Sequence, residues 1–130
     1  MKQKFSRKWK ASKQPRKQRK YKAKAPLHVK HKMLATHLSK ELRKKHGKRS
    51  ITLRKDDVVK IIRGTFKGKQ GKISIVNMKK IRVYIEGIQR TRKDGTKVNV
   101  PFNPSNLIIV ELNLDDKKRN KKLRRREGEK

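Results

Sequence analysis

The chain has 130 residues, with 43 Lys/Arg against ten Asp/Glu and a net charge of +33. Hydrophobic residues make up 31% and aromatics 5%, enough for one modest core and too few to fold every segment around it. The absence of cysteine excludes disulfide staples, thiolate nucleophiles and cysteine zinc sites, and no apolar run nears the roughly 18 residues that a membrane span needs. No apolar h-region of a secretory signal stands near Met1, so the expectation is a soluble intracellular protein without membrane insertion.

Charge is placed unevenly. Met1 to Lys40 holds fifteen Lys/Arg and no acid. Close like charges oppose any compact state, so a polyanion must neutralise them. Nucleic acid is the natural one, because each phosphate met by Lys or Arg releases condensed counterions.

The first segment, Met1 to about Pro26, carries Lys or Arg at nearly every second position without an apolar period, and is expected to be extended or irregular. Its aromatics, Phe5, Trp9 and Tyr21, either stack on bases or cover the protein's own core. Arg7, Lys8, Trp9, Lys10, Lys13, Arg16, Lys17, Arg19, Lys20, Tyr21 and Lys22 are the candidate nucleic-acid contacts here.

From about Leu27 to Ile51, Leu34, Leu38 and Leu42 recur at the four-residue interval of a helix face. Ser39 suits an N-cap and Gly47 a C′ position, with Arg43, Lys44, Lys45 and His46 in the last turn, where cations suit the macrodipole. A short helix at about 38–46 is predicted, with a possible earlier turn from about His31. Lys30, Lys32, Arg43, Lys44, Lys45, Lys48, Arg49 and Arg54 join the candidate contacts.

Leu53 to Leu112 holds the core material. From Asp56 to Leu112, Lys/Arg number only twelve against five acids. Val59 and Ile61 alternate with Lys60, Ile73 and Ile75 with Ser74, and Ile81, Val83 and Ile85 with Arg82, Tyr84 and Glu86. Turn signals at Gly64, Gly68, Gly71, Asp94-Gly95 and Pro101 to Pro104 separate them. Four or five short strands without a second helix favour a small twisted barrel over an open sheet with bare edges. The chain thus divides into a basic extension at 1–52, a barrel at 53–112 and a basic tail at 113–130, the tail expected to be disordered or helical only on contact.

No catalytic constellation stands out. His28, His31, His37 and His46 lack acidic or cysteine co-ligands and sit among cations, so neither a metal nor a cofactor is expected. Asp56 and Asp57 are adjacent, hence on opposite sides of a strand, and suit orienting a turn better than sharing a proton. Gly64, Gly68 and Gly71 are not a dinucleotide fingerprint, because a strand and not a helix follows them.

From Asp57 the chain reads DVVKIIRGTFKGKQGKI. Asp57, Val59, Ile61, Gly64, Lys67, Gly68, Gly71 and Ile73 match the KOW motif, the strand-loop-strand unit of small SH3-like barrels. Gly64 and Gly68 permit positive-φ turns, and Gly71 permits close backbone approach or a kink. Phe66, Lys67, Lys69 and Lys72 are expected to face outward toward irregular RNA. Downstream, IRVYIEGIQR (with Gly87) and VPFNPSNLIIVEL look like the Val-Glu-Gly strand and the Pro-x-x-Pro-Ser-Asn strand of one KOW family. This is the family of universal large-subunit ribosomal proteins numbered twenty-four, twenty-six in eukaryotic nomenclature. LSKELRKKHGKRSITLRKDD is similar to the linker of its archaeal and eukaryotic branch, and the short tail suggests the archaeal form. Where that family commonly has Asn after the Val-Glu-Gly strand, this chain has Gln89 and then Arg90.

The resemblance implies a structural, non-enzymatic protein of the cytoplasmic ribosome. Its partners would be 23S-type rRNA, bound in the 5′-proximal region early in assembly and near the exit tunnel, and neighbouring ribosomal proteins, without homo-oligomerisation. Arg63, Phe66, Lys67, Lys69, Lys72, Lys79, Lys80, Arg90, Arg92, Ser105 and Asn106 complete the candidate contacts. The alternatives are a KOW-type transcription elongation protein, disfavoured because the first fifty residues are too basic and too poor in apolar period for the α/β domain such proteins carry before the barrel, and a generic nucleic-acid-binding protein.

Overall fold

The computed structural model of the chain describes residues 5–124. A 3₁₀ turn at Arg7–Ala11 leads into α1 (Pro15–Lys24), α2 (Leu27–Met33), β1 (Ala35–Leu38), α3 (Lys40–His46) and β2 (Ser50–Thr52). Then follow β3 (Val58–Ile61), β4 (Gln70–Asn77), β5 (Arg82–Ile85), β6 (Gln89–Thr91), β7 (Lys97–Asn99), β8 (Leu107–Glu111) and α4 (Lys117–Arg124).

The alternating residues face one another as a core. Val59, Ile61, Ile73, Val83, Leu107 and Ile109 are wholly screened from solvent, and Ile85 nearly so. Each contributes about 1.5–3 kcal/mol of apolar burial. They lie on a six-stranded sheet in the order β2-β1-β8-β3-β4-β5, antiparallel except where β1 runs parallel to β8. A bridge between Val83 and Phe102 continues the curl past β5, giving the barrel-like, mainly β fold expected. β6 and β7 form a separate hairpin whose tip is closed by Gly95 at φ 87° and by Asp94. The Asp94 carboxylate accepts from the Thr96 hydroxyl and N–H, which holds its pKa below the ordinary value.

Three expectations change. The 1–26 segment is not wholly extended: RKQRKYKAK forms α1, entered through Pro15 at N1. Arg, Lys, Gln and Ala are strong helix formers, so propensity shapes a helix that apolar periodicity could not announce. The Gln18 side-chain amide also ties α1 back to the carbonyls of Lys10 (3.0 Å) and Ser12 (2.7 Å). Second, Leu34, Leu38 and Leu42 do not share one helix. Leu38 lies in a strand, and the buried set is Leu34, Thr36 and Leu38, with period two. Thr36 hid that alternation because it is polar; its hydroxyl is satisfied by donating to the Pro104 carbonyl at 2.8 Å. The helix starts at Lys40, with the Ser39 hydroxyl capping Leu42 N–H and Gly47 at φ 59° ending it. β1 and β2 thus bring residues before Leu53 into the main sheet.

Third, the tail is helical and docked as far as Arg124, while residues 125–130 of the predicted tail lie outside the described residues. Leu123 is buried, and Arg119, 4% exposed, forms a bidentate pair with the fully buried Asp57 at 2.6 and 2.7 Å. Asp57 also accepts from the backbone N–H of Arg54 and of Asn113, both at 2.9 Å. One motif residue therefore fastens the β2–β3 turn, the end of β8 and α4 together.

Candidate nucleic-acid interface

The β3–β4 connection is a tight loop. Gly68 N–H donates to the Ile61 carbonyl at 2.8 Å and Lys67 N–H to that of Gly64 at 3.1 Å, with Gly64 at φ 98° and Gly68 at φ 88°. At Gly71 the demand is steric, since a Cβ would stand 2.5 Å from the Ile85 side chain and 3.1 Å from the Glu86 carbonyl. Lys67 and Lys69 are exposed on this connection, and Lys72 is exposed just beyond it in β4. Phe66 is not, contrary to expectation: it is half-buried against the core and meets Phe102 edge-on at 6.0 Å. Lys69 Nζ stands over the ring, 5.4 Å from its centroid.

Beside the loop opens a cleft of about 440 Å³ that gathers Arg63, Phe66, Arg82, Arg90, Asn103 and Asn106. No carboxylate lines it among the described residues. Three guanidiniums without an acid repel one another and attract phosphate, and the amides offer both donors and acceptors. Four of these six belong to the predicted set; Arg82 and Asn103 do not. In the sequence Arg82 is only the polar partner in an alternating strand, and only the fold brings it beside Arg63. Ser105 is exposed next to the cleft, and Arg90 and Arg92 stand on the β6–β7 hairpin with Lys93 and Lys97, also unpredicted.

The N-terminal candidates form a second face. Phe5, Trp9, Lys17, Lys20, Tyr21 and Lys24 line a cavity of about 300 Å³, with the Phe5 and Tyr21 rings 4.9 Å apart and Lys17 Nζ 4.7 Å above Trp9. Trp9 is 53% exposed, its ring available to stack. Arg7 and Lys10 meet Lys22 and Lys32 across a neighbouring groove. Lys8, Lys13, Arg16 and Arg19 are exposed, as are Lys44, Lys45 and Arg49 around α3 and Lys79 and Lys80 at the β4–β5 turn.

Some predicted cations are engaged within the fold. Lys30 is buried, and its ammonium donates to the carbonyls of Ala23 (3.3 Å) and Lys79 (3.1 Å), pinning α1 and α2 to the barrel. Arg43 Nε donates to the Leu38 carbonyl at 2.8 Å, Lys48 reaches the Lys122 carbonyl, and Arg54 pairs with Asp116. Sequence alone cannot tell such inward cations from outward ones.

Comparison with known proteins puts the chain in the class of ribosomal proteins. The family described as ribosomal proteins L26 in eukaryotes and L24 in archaea matches residues 12–126, and the chain belongs to it. It is similar to large ribosomal subunit protein uL24 of Methanosphaera stadtmanae, 45% identical over 115 residues, or 88% of this chain and 98% of that protein. The archaeal-type assignment holds: this is a structural constituent of the large subunit of the cytoplasmic ribosome, in a family that is structural rather than enzymatic.

Proposed function

We propose that the chain binds large-subunit rRNA directly, with the helical arms neutralising phosphates and the cleft beside the glycine loop fixing register. The acid-free cleft carries this reading: Arg63, Arg82 and Arg90 converge beside Asn103 and Asn106 on a rigid barrel, which suits a folded RNA backbone with unstacked bases. The family resemblance supports a 5′-proximal rRNA site, an early role in assembly and a position near the exit tunnel.

Filter binding to the 5′-proximal rRNA domain and to an unrelated RNA tests the assignment. Arg63→Ala and Arg90→Ala should each weaken cognate binding by at least about fivefold and narrow the preference over unrelated RNA. Lys67→Ala should weaken both complexes alike. Unchanged cognate binding in the Arg63→Ala/Arg90→Ala double variant overturns the cleft as the register-setting site.

A further inference from the structure

One surface of this highly basic protein is built unlike the rest. β4 outruns β3: their pairing spans Gln70–Lys72, and two further backbone bonds between Ile73 and the Asp56-Asp57 turn end it. Asp56, at φ 68°, turns the preceding chain away. Beyond that point β4 has a strand neighbour only on the β5 side.

Which backbone groups are left open follows from the register. Val83 both donates to and accepts from Phe102, so its peptide groups face away from β4. Opposite it, Val76 therefore sits in a non-hydrogen-bonded pair, with its own N–H and C=O directed to the outer edge. Among the described residues nothing bonds them.

This edge borders a groove of about 650 Å³ with Leu34 and Leu53 at its floor and Ile75, Met78, Asp115 and Asp116 around it. Ile75 is 53% exposed, Met78 38%, and Leu114, next in sequence to Asp115, 43%. Asp116 is paired with Arg54, whereas the exposed Asp115 carboxylate has no partner among the described residues. Arg54 and Lys55 balance Asp115 and Asp116 in this lining, unlike the acid-poor cationic faces elsewhere, and an open strand edge with exposed aliphatic side chains suits a polypeptide better than a phosphate backbone.

We propose that this groove docks an extended segment of another large-subunit protein. The segment adds as a short strand at Val76, lays an apolar side chain beside Ile75 and Met78, and sets a Lys or Arg against Asp115. The inference rests on residence in the large subunit and is independent of the arginine cleft.

The test places benzoylphenylalanine at Ile75 of the full chain, assembled into large subunits, with the same label at Lys67 as the RNA-facing reference. Irradiation at position 75 should give a cross-link to a peptide of another ribosomal protein. That peptide, synthesised, should bind the free protein, slow amide exchange at Val76, and lose at least about tenfold in affinity on Ile75→Asp and on Asp115→Lys but not on Lys67→Ala. Because Ile75 and Asp115 are exposed, circular dichroism should be unchanged in both variants. Cross-linking to rRNA, no cross-link at position 75, or an unprotected Val76 amide overturns the inference. Failure of RNA cross-linking at position 67 would instead count against the rRNA reading.

Discussion

Replacing Asp57 with alanine should be among the most damaging single changes in this chain, although it touches no part of the arginine cleft. The substitution strands the Arg119 guanidinium, 4% exposed, after removing both carboxylate hydrogen bonds at 2.6 and 2.7 Å. It also orphans the Arg54 and Asn113 N–H groups, each bonded at 2.9 Å. Removing one partner of a buried pair destabilises by about 3–5 kcal/mol. Relief comes only by undocking α4, which forfeits the burial of Leu123, about 1.5–3 kcal/mol. The expected loss for Asp57→Ala is thus about 3–5 kcal/mol, a large share of the roughly 5–15 kcal/mol that holds a domain together. Arg119→Ala should lose less, about 2–3 kcal/mol, because Asp57 keeps its two backbone donors and the tail can leave without tearing the β2–β3 turn. Urea unfolding of the two single variants and the double variant measures both losses and their coupling, which should exceed about 1 kcal/mol. Trypsin should cut within α4 of Arg119→Ala well before it cuts the barrel. An Asp57→Ala loss below about 1 kcal/mol, or additive singles, would refute the idea that this pair fastens the tail to the barrel.

Two further outcomes follow from the same structure. Gly71→Val should unfold or severely destabilise the barrel, since its branched side chain meets Ile85 and the Glu86 carbonyl; Gly68→Ala, where φ is 88° but a Cβ finds open space, should lose only about 1–2 kcal/mol. Comparable thermal midpoints for the two would remove the steric argument. Deleting residues 1–24 spares the buried Ala25 and removes no buried residue among those described. Circular dichroism should therefore keep its barrel signature, while the log-log salt dependence of RNA binding flattens by about 0.7 to 0.9 for each phosphate the arm no longer neutralises. An unchanged slope would show that these cations do not touch phosphate.

How much of this was readable in advance depends on the range of the physics involved. The chain alone determined the barrel, because residues such as Val59, Ile61, Val83 and Ile85 alternate within a few positions and need no distant partner to declare a buried face. It determined the capped helix too, since Ser39 and Gly47 act on backbone groups within one turn. The glycine loop and the basic, acid-poor charge distribution were equally local. Tertiary structure decided what depends on neighbours far along the chain. Thr36 became a core position only because the Pro104 carbonyl lies opposite it, and the Leu34 to Leu42 spacing served a strand and a helix in turn. Asp57, legible as a motif residue, gained its main role from Arg119, sixty-two positions away. Among forty-three like cations, only the folded chain separates Lys30, turned in to two carbonyls, from Arg63 and Arg82, turned out into one cleft. Charge is written in the sequence, but the direction in which each charge points is set by packing.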